Sequence, residues 1–162
     1  MVPRILIVDD DPDMVELLRC GLTDAGYSAR EAGTGKEALQ RAKRSLPDLV
    51  VLDLLLPDMN GFSVCQQLRQ NPATAAIPIL MITVLPGQFP RLVGVEAGAN
   101  AYLNKPFRME DLVSCVGDLL RQPGVASEVL AAPPVSSGTE AFPAFPVAPS
   151  GSSRCLFPGA RV

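Results

Sequence analysis

The sequence contains no histidine and no tryptophan. The missing imidazole excludes histidine-based triads, histidine metal sites and the usual proton shuttle near neutral pH. Long apolar runs are missing too. No stretch reaches the ~18 apolar residues of a membrane span, so no membrane contact is expected. The first apolar run is only four residues long, Ile5, Leu6, Ile7 and Val8, too short for a signal peptide. Cysteine is sparse, and Cys20, Cys65, Cys115 and Cys155 form no C-x-x-C pair. They read as reduced thiols of a cytoplasmic protein, the first three as small buried hydrophobes in helices. A surplus of positive charge is also absent: 14 Lys and Arg face 17 Asp and Glu, for a net charge of −3. Nucleic-acid binders usually carry a basic face, so no direct nucleic-acid partner is expected.

What is present divides near residue 121. Residues 1–121 alternate short apolar runs with helical periodicity. Residues 122–162 are rich in Pro, Ala, Ser and Gly, with Glu128, Glu140, Arg154 and Arg161 as their charged residues. That composition reads as a disordered tail or linker carrying stray apolar side chains such as Phe142 and Phe157. The first part, at 121 residues, is long enough to bury a core as one domain.

Five strand-and-helix units follow one another in it. Strands are expected at residues 4–8, 27–32, 49–52 and 79–82, with a fifth marked by Tyr102 and Leu103. Helices are expected at 12–25, 34–44, 61–70, about 90–97, and 109–120. Met14, Leu17, Leu18, Gly21 and Leu22 share one face of the first helix, and Gly26 ends it. Thr34, with Glu37 three residues on, reads as a capping box. The pattern predicts an α/β fold, a doubly wound five-stranded parallel sheet with five helices.

In such sheets ligands bind outside the carboxyl ends of the strands. The first strand ends at Asp9 and Asp10, the third at Asp53, the fourth at Thr83 and the fifth at Lys105. Three carboxylates brought together need a cation. Mg²⁺ suits them, being a hard ion that takes oxygen ligands. Asp10 and Asp53 are the expected direct ligands, with a backbone carbonyl at Leu55, and Asp9 acting through water. Lys105 offers a point charge to a phosphoryl oxygen, and Thr83 a hydroxyl donor. Asp53 is the candidate nucleophile, since a carboxylate can carry an acyl phosphate. Asp11, by contrast, reads as a helix-start acid favoured by the dipole. "GTGKE", residues 33–37, imitates the end of a phosphate-binding loop but has Arg30 and Glu37 where Gly and Ser or Thr belong.

The stretches "ILIVDDD", "DLVVLDLLLPDMNGF", "IPILMIT", "GANAYLNKPF" and "MEDL" resemble a receiver domain of two-component response regulators, of the single-domain chemotaxis type. The resemblance covers about residues 3–121. It implies a flavodoxin-like fold with strand order 2-1-3-4-5. It implies that Asp53 accepts a phosphoryl group from a sensor histidine kinase or phosphotransfer protein. It also implies that Thr83 and Tyr102 form a switch pair, and that the Lys105–Pro106 bond is cis. The readout would fall on the face of the fourth helix, fifth strand and last helix. The partner there would be a downstream effector protein or a second copy in a phosphorylation-dependent homodimer.

Two departures from the family pattern bear on function. Val84 stands where a small residue is usual and is expected to crowd the pocket mouth. Leu55 and Leu85 occupy positions that tune dephosphorylation, and apolar groups there orient no attacking water. A degenerate receiver that only binds partners is the alternative reading. A haloacid-dehalogenase-like phosphohydrolase is disfavoured, because its second Asp would fall at Leu55.

Overall fold

The computed structural model describes residues 1–84 and 97–121. Strands β1 (Arg4–Val8), β2 (Ser28–Ala32), β3 (Leu49–Asp53), β4 (Ile79–Thr83) and β5 (Ala101–Asn104) alternate with four described helices. These are α1 (Pro12–Asp24), α2 (Gly35–Ser45), α3 (Gly61–Gln70) and α4 (Met109–Arg121). The strands form one parallel sheet in the order β2-β1-β3-β4-β5. This is the doubly wound, flavodoxin-like arrangement expected. The helix expected at residues 90–97 and the tail at 122–162 lie outside the described residues.

β3 and β4 are buried along their whole length, which is why they read as unbroken apolar runs. β2 is an edge strand with Ser28, Arg30 and Glu31 exposed, and those polar groups discourage further pairing. The pleat sends alternate residues to opposite faces. Ile5, Ile7, Leu49, Val51, Leu80, Ile82 and Leu103 pack against Leu18, Leu22, Leu112 and Val116 of α1 and α4. Leu6, Val8, Val50, Leu52, Ile79, Met81 and Tyr102 pack against Ala38, Ala42, Val64 and Leu68 of α2 and α3.

The starts of α1, α2 and α3 each have a side-chain cap. Asp11 accepts the Asp13 N–H at 3.0 Å, with Pro12 opening α1. Thr34 accepts the Glu37 N–H at 3.2 Å, while the Glu37 carboxylate accepts the Gly33 N–H at 3.0 Å. Asn60 accepts the Ser63 N–H at 2.8 Å. Gly26, at φ +91°, ends α1 in a conformation that a Cβ would oppose.

Several expectations need correction. Leu17 is exposed: the buried stripe of α1 runs through Leu18 and Leu22, and Leu17 sits one residue, about 100°, off it. Cys20 is also exposed, and its thiol faces Glu16 at 3.5 Å. Cys65 is buried and free, its thiol pushed up to about 11 by burial. Cys115 is buried but disulfide-bonded, so the reading of four reduced thiols fails there. Its partner lies outside the described residues.

Candidate functional site

The carboxyl ends of the strands bring the sequence-predicted residues together. Val8 of β1 pairs with Leu52 of β3, so the residues that follow them, Asp9 and Asp53, leave the sheet side by side. This is the point where the strand order reverses, with β2 to one side of β1 and β3 to the other. Thr83 pairs with Asn104 across β4 and β5, and the Lys105 N–H donates to the Thr83 carbonyl at 2.7 Å. That bond fixes where the lysine side chain departs.

Asp9, Asp10 and Asp53 offer carboxylate oxygens that all lie within 4.8 Å of one another. Lys105 Nζ donates to Asp9 Oδ2 at 3.0 Å and stands 3.6 Å from Asp53 Oδ1. The other Asp9 oxygen accepts the Asp11 N–H at 2.9 Å. Asp53 Oδ1 accepts the Leu54 N–H at 2.8 Å. Asp9, Asp53 and Thr83 are buried, whereas Asp10 is exposed at the rim. Burial pushes the Asp53 carboxyl above its ordinary value, Lys105 pulls it down, and Asp9 pushes it up again. Among the described residues three carboxylates face one ammonium here, and all the carboxylate ligand atoms are hard oxygens. The donor set therefore fits a divalent cation such as Mg²⁺.

Leu55 follows Asp53 on the loop that leads into α3. It is exposed and forms an antiparallel bridge with Asn60. The Gly61 N–H donates to the Leu54 carbonyl at 2.7 Å. A Cβ on Gly61 would meet the Asp53 carbonyl at 2.5 Å, so this turn requires glycine.

Tyr102 lies apart from the acids. It is buried in the α2–α3 layer, paired in register with Met81. Its hydroxyl is buried with no hydrogen-bond partner among the described residues. Burial, reinforced by Cys65, raises the phenol well above its usual range. The Lys105–Pro106 bond is cis. Val84, which follows Thr83, is 54% exposed. Leu85 lies outside the described residues.

Two residues escaped the sequence reading. Asp58 Oδ1 accepts the Gly35 N–H at 2.7 Å, and its Oδ2 accepts the Lys36 N–H at 2.9 Å. This occupies the start of α2, the place where "GTGKE" imitated a phosphate loop. Arg69 donates to the carbonyls of Gly98, Ala75 and Ile77 and to Asn100 Oδ1, at 2.7–2.9 Å. Their partners are mostly backbone groups, and no local pattern marks either residue.

Comparison with known proteins agrees with this architecture. Residues 5–117 match the response regulator receiver domain family. The chain is 41% identical over 149 residues to the DNA-binding dual master transcriptional regulator RpaA of Synechocystis sp., covering 88% of this chain and 62% of that protein. It is 40% identical over 127 residues to the alkaline phosphatase synthesis transcriptional regulatory protein PhoP of Bacillus subtilis, covering 78% and 52%. A crystal structure assigned as a response regulator of Chloroflexus aurantiacus superposes with TM-score 0.73 at 43% identity, covering 75% of this chain and all of that one.

The chain thus spans little more than half the length of these two regulators. The expectation of no nucleic-acid partner is corrected by their names, since both are transcriptional regulators and one is DNA-binding. The net charge behind that expectation describes this chain, which spans only part of their length. The fold, the matched span and the identities lead to one conclusion: the chain belongs to the response regulator receiver domain family of two-component systems.

Proposed function

We propose that this chain is a phosphorylation switch in which Asp53 accepts a phosphoryl group from the phosphohistidine of a histidine kinase or phosphotransfer protein. The observation that carries the reading is the position of Lys105 Nζ, 3.0 Å from Asp9 and 3.6 Å from Asp53, beside a three-carboxylate cluster. In the step, an Asp53 carboxylate oxygen attacks phosphorus, a P–O bond forms, and the P–N bond breaks. The imidazole leaves with the bonding pair. Lys105 donates to a phosphoryl oxygen, and the Thr83 hydroxyl donates to another; both interactions gain strength as charge builds there. Mg²⁺, held by Asp10, Asp53 and the Leu55 carbonyl with Asp9 behind water, would supply neutralising charge to the phosphoryl oxygens.

The phosphoryl group adds charge of about −1.5 to −2. Thr83 and Tyr102 are the residues proposed to relay it, by moving toward and beneath the modified Asp53. The two transcriptional relatives support an output in nucleic-acid binding by the full protein, with this receiver as its phosphorylation-controlled input. The chain is read as a phosphoacceptor rather than an enzyme with a released product.

Intact mass after incubation with acetyl phosphate tests the switch chemistry. A single phosphoryl adduct is expected in the native chain with Mg²⁺. None is expected without Mg²⁺ or in Asp53→Asn. An adduct that forms equally well in Asp53→Asn would refute the assignment of the acceptor.

A further inference from the structure

The loop that bears Leu55 is fastened at two points. Its base is closed by the Leu55–Asn60 bridge and by the Gly61 N–H donating to the Leu54 carbonyl at 2.7 Å. Its tip is tied to a different element. Asp58 gives one carboxylate oxygen to each of two successive N–H groups in the first turn of α2, Gly35 at 2.7 Å and Lys36 at 2.9 Å. Beside this polar joint lies an apolar one: Met59 packs so closely on Gly35 that a Cβ there would collide with the Met59 side chain. The two backbone donors hold the Asp58 carboxyl below its ordinary value, as expected for a carboxylate held in its charged form at a helix start.

A simple helix cap would not need this arrangement. Thr34 already caps α2 locally, accepting the Glu37 N–H at 3.2 Å. Asp58 arrives from 22 residues downstream. What it adds is a fixed position for its own loop, three residues beyond Leu55 and five beyond Asp53. Leu55 is tied at the base through its bridge to Asn60, and the second tie at Asp58 removes the slack that a base-only anchor would leave in the loop.

We propose that Asp58, docked on the start of α2, is a positioning residue that holds the Leu55 carbonyl and the Asp53 carboxylate in place for Mg²⁺. The inference rests on the metal site proposed above. Outer contacts of this kind govern how well a ligand set is pre-arranged, and their loss typically costs 10- to 100-fold in metal affinity.

The test is Mg²⁺ affinity, followed through the backbone amide resonances of Asp53 and Leu55, in the native chain, Asp58→Ala, Asp58→Asn and Thr34→Ala. Thermal melts check that each variant is folded. The expected result is Mg²⁺ binding weakened about 10-fold in Asp58→Ala. Asp58→Asn keeps one acceptor oxygen and should fall between Asp58→Ala and the native chain. Thr34→Ala should weaken α2 and leave Mg²⁺ affinity unchanged. If Asp58→Ala does not fold, the contrast between Asp58→Asn and Thr34→Ala decides alone. Native affinity in the folded Asp58 variants, or an equal loss in Thr34→Ala, would overturn the inference and leave the metal site standing. No Mg²⁺ binding by the native chain would overturn both.

Discussion

At Asp53 a carboxylate is held out of water beside Asp9, with Lys105 the ammonium nearest to both. Burial raises the Asp53 carboxyl above its ordinary value; Lys105 offsets part of that rise and Asp9 adds to it. A group whose proton is held more tightly in the folded state lowers stability as pH rises past its ordinary range. Asp53→Asn removes that charge. It should stabilise the metal-free chain near neutral pH, read as a higher urea midpoint with unchanged slope. Saturating Mg²⁺, at 100 times its dissociation constant, should add about 2.7 kcal/mol to the native chain and much less to the variant. Tyr102 gives a second residue-level test. Its buried hydroxyl finds no partner among the described residues, and an unmet buried polar group costs about 1–3 kcal/mol. Tyr102→Phe should match or exceed native stability in urea. A clear loss would mean that the hydroxyl has a partner.

Among the elements, α3 and its neighbours depend on long-range polar ties. Arg69 is half-buried, and desolvation lowers its pKa. No carboxylate pairs with it among the described residues; it serves carbonyls at the start of β4 and ahead of β5. Arg69→Met should leave those acceptors short of donors and cost about 3 kcal/mol or more in chemical denaturation. These contacts lie at the opposite end of the strands from Asp53, so the remaining folded protein should still be phosphorylated. The Asp58 tie predicts a pH effect. Its carboxyl is lowered by the Lys36 and Gly35 N–H groups, so its contribution is present above the ordinary carboxylate range and lost as pH falls through it. Asp58→Asn should flatten the acid limb of the melting temperature against pH.

The same elements show what a sequence can and cannot convey. Periodicity placed α3 at its observed bounds, Gly61–Gln70, because Gly61 and the apolar positions Val64, Cys65 and Leu68 are local signals. Leu17 was misplaced because the pattern cannot say how wide the buried stripe of α1 is; that depends on which strands lie beneath it. Asp58 and Arg69 were invisible because their partners, from 6 to 31 residues away, carry no chemical mark of their own, being mostly backbone groups.

For the whole molecule, the candidate site is assembled from strand ends far apart in sequence, Asp9 and Lys105 lying 96 positions apart. It was legible because a parallel sheet puts every carboxyl end on one edge; the residues needed only to be read at the ends of apolar runs. The nucleic-acid connection was not legible. Overall charge reports on the chain in hand, and the relatives that carry the connection extend well beyond it. Once phosphorylated, the molecule should keep its phosphoryl group for long periods. Leu55 is exposed beside Asp53 and offers no polar group to align an attacking water. Decay followed by intact mass after removal of the donor should be slow, and Leu55→Asn should speed it several-fold. A lifetime of seconds in the native chain would contradict this.

The central claim is that the phosphoryl group sits on Asp53, and reductive mapping tests it most directly. The chain is phosphorylated with acetyl phosphate and Mg²⁺, then treated with borohydride. Hydride reduces an acyl phosphate to the alcohol and releases phosphate, while free carboxylates and phosphate esters are left alone. Peptide mass analysis should find the reduced side chain at position 53. Its absence from a phosphorylated sample, or its appearance at Asp9 or Asp10 with Asp53 untouched, would contradict the account.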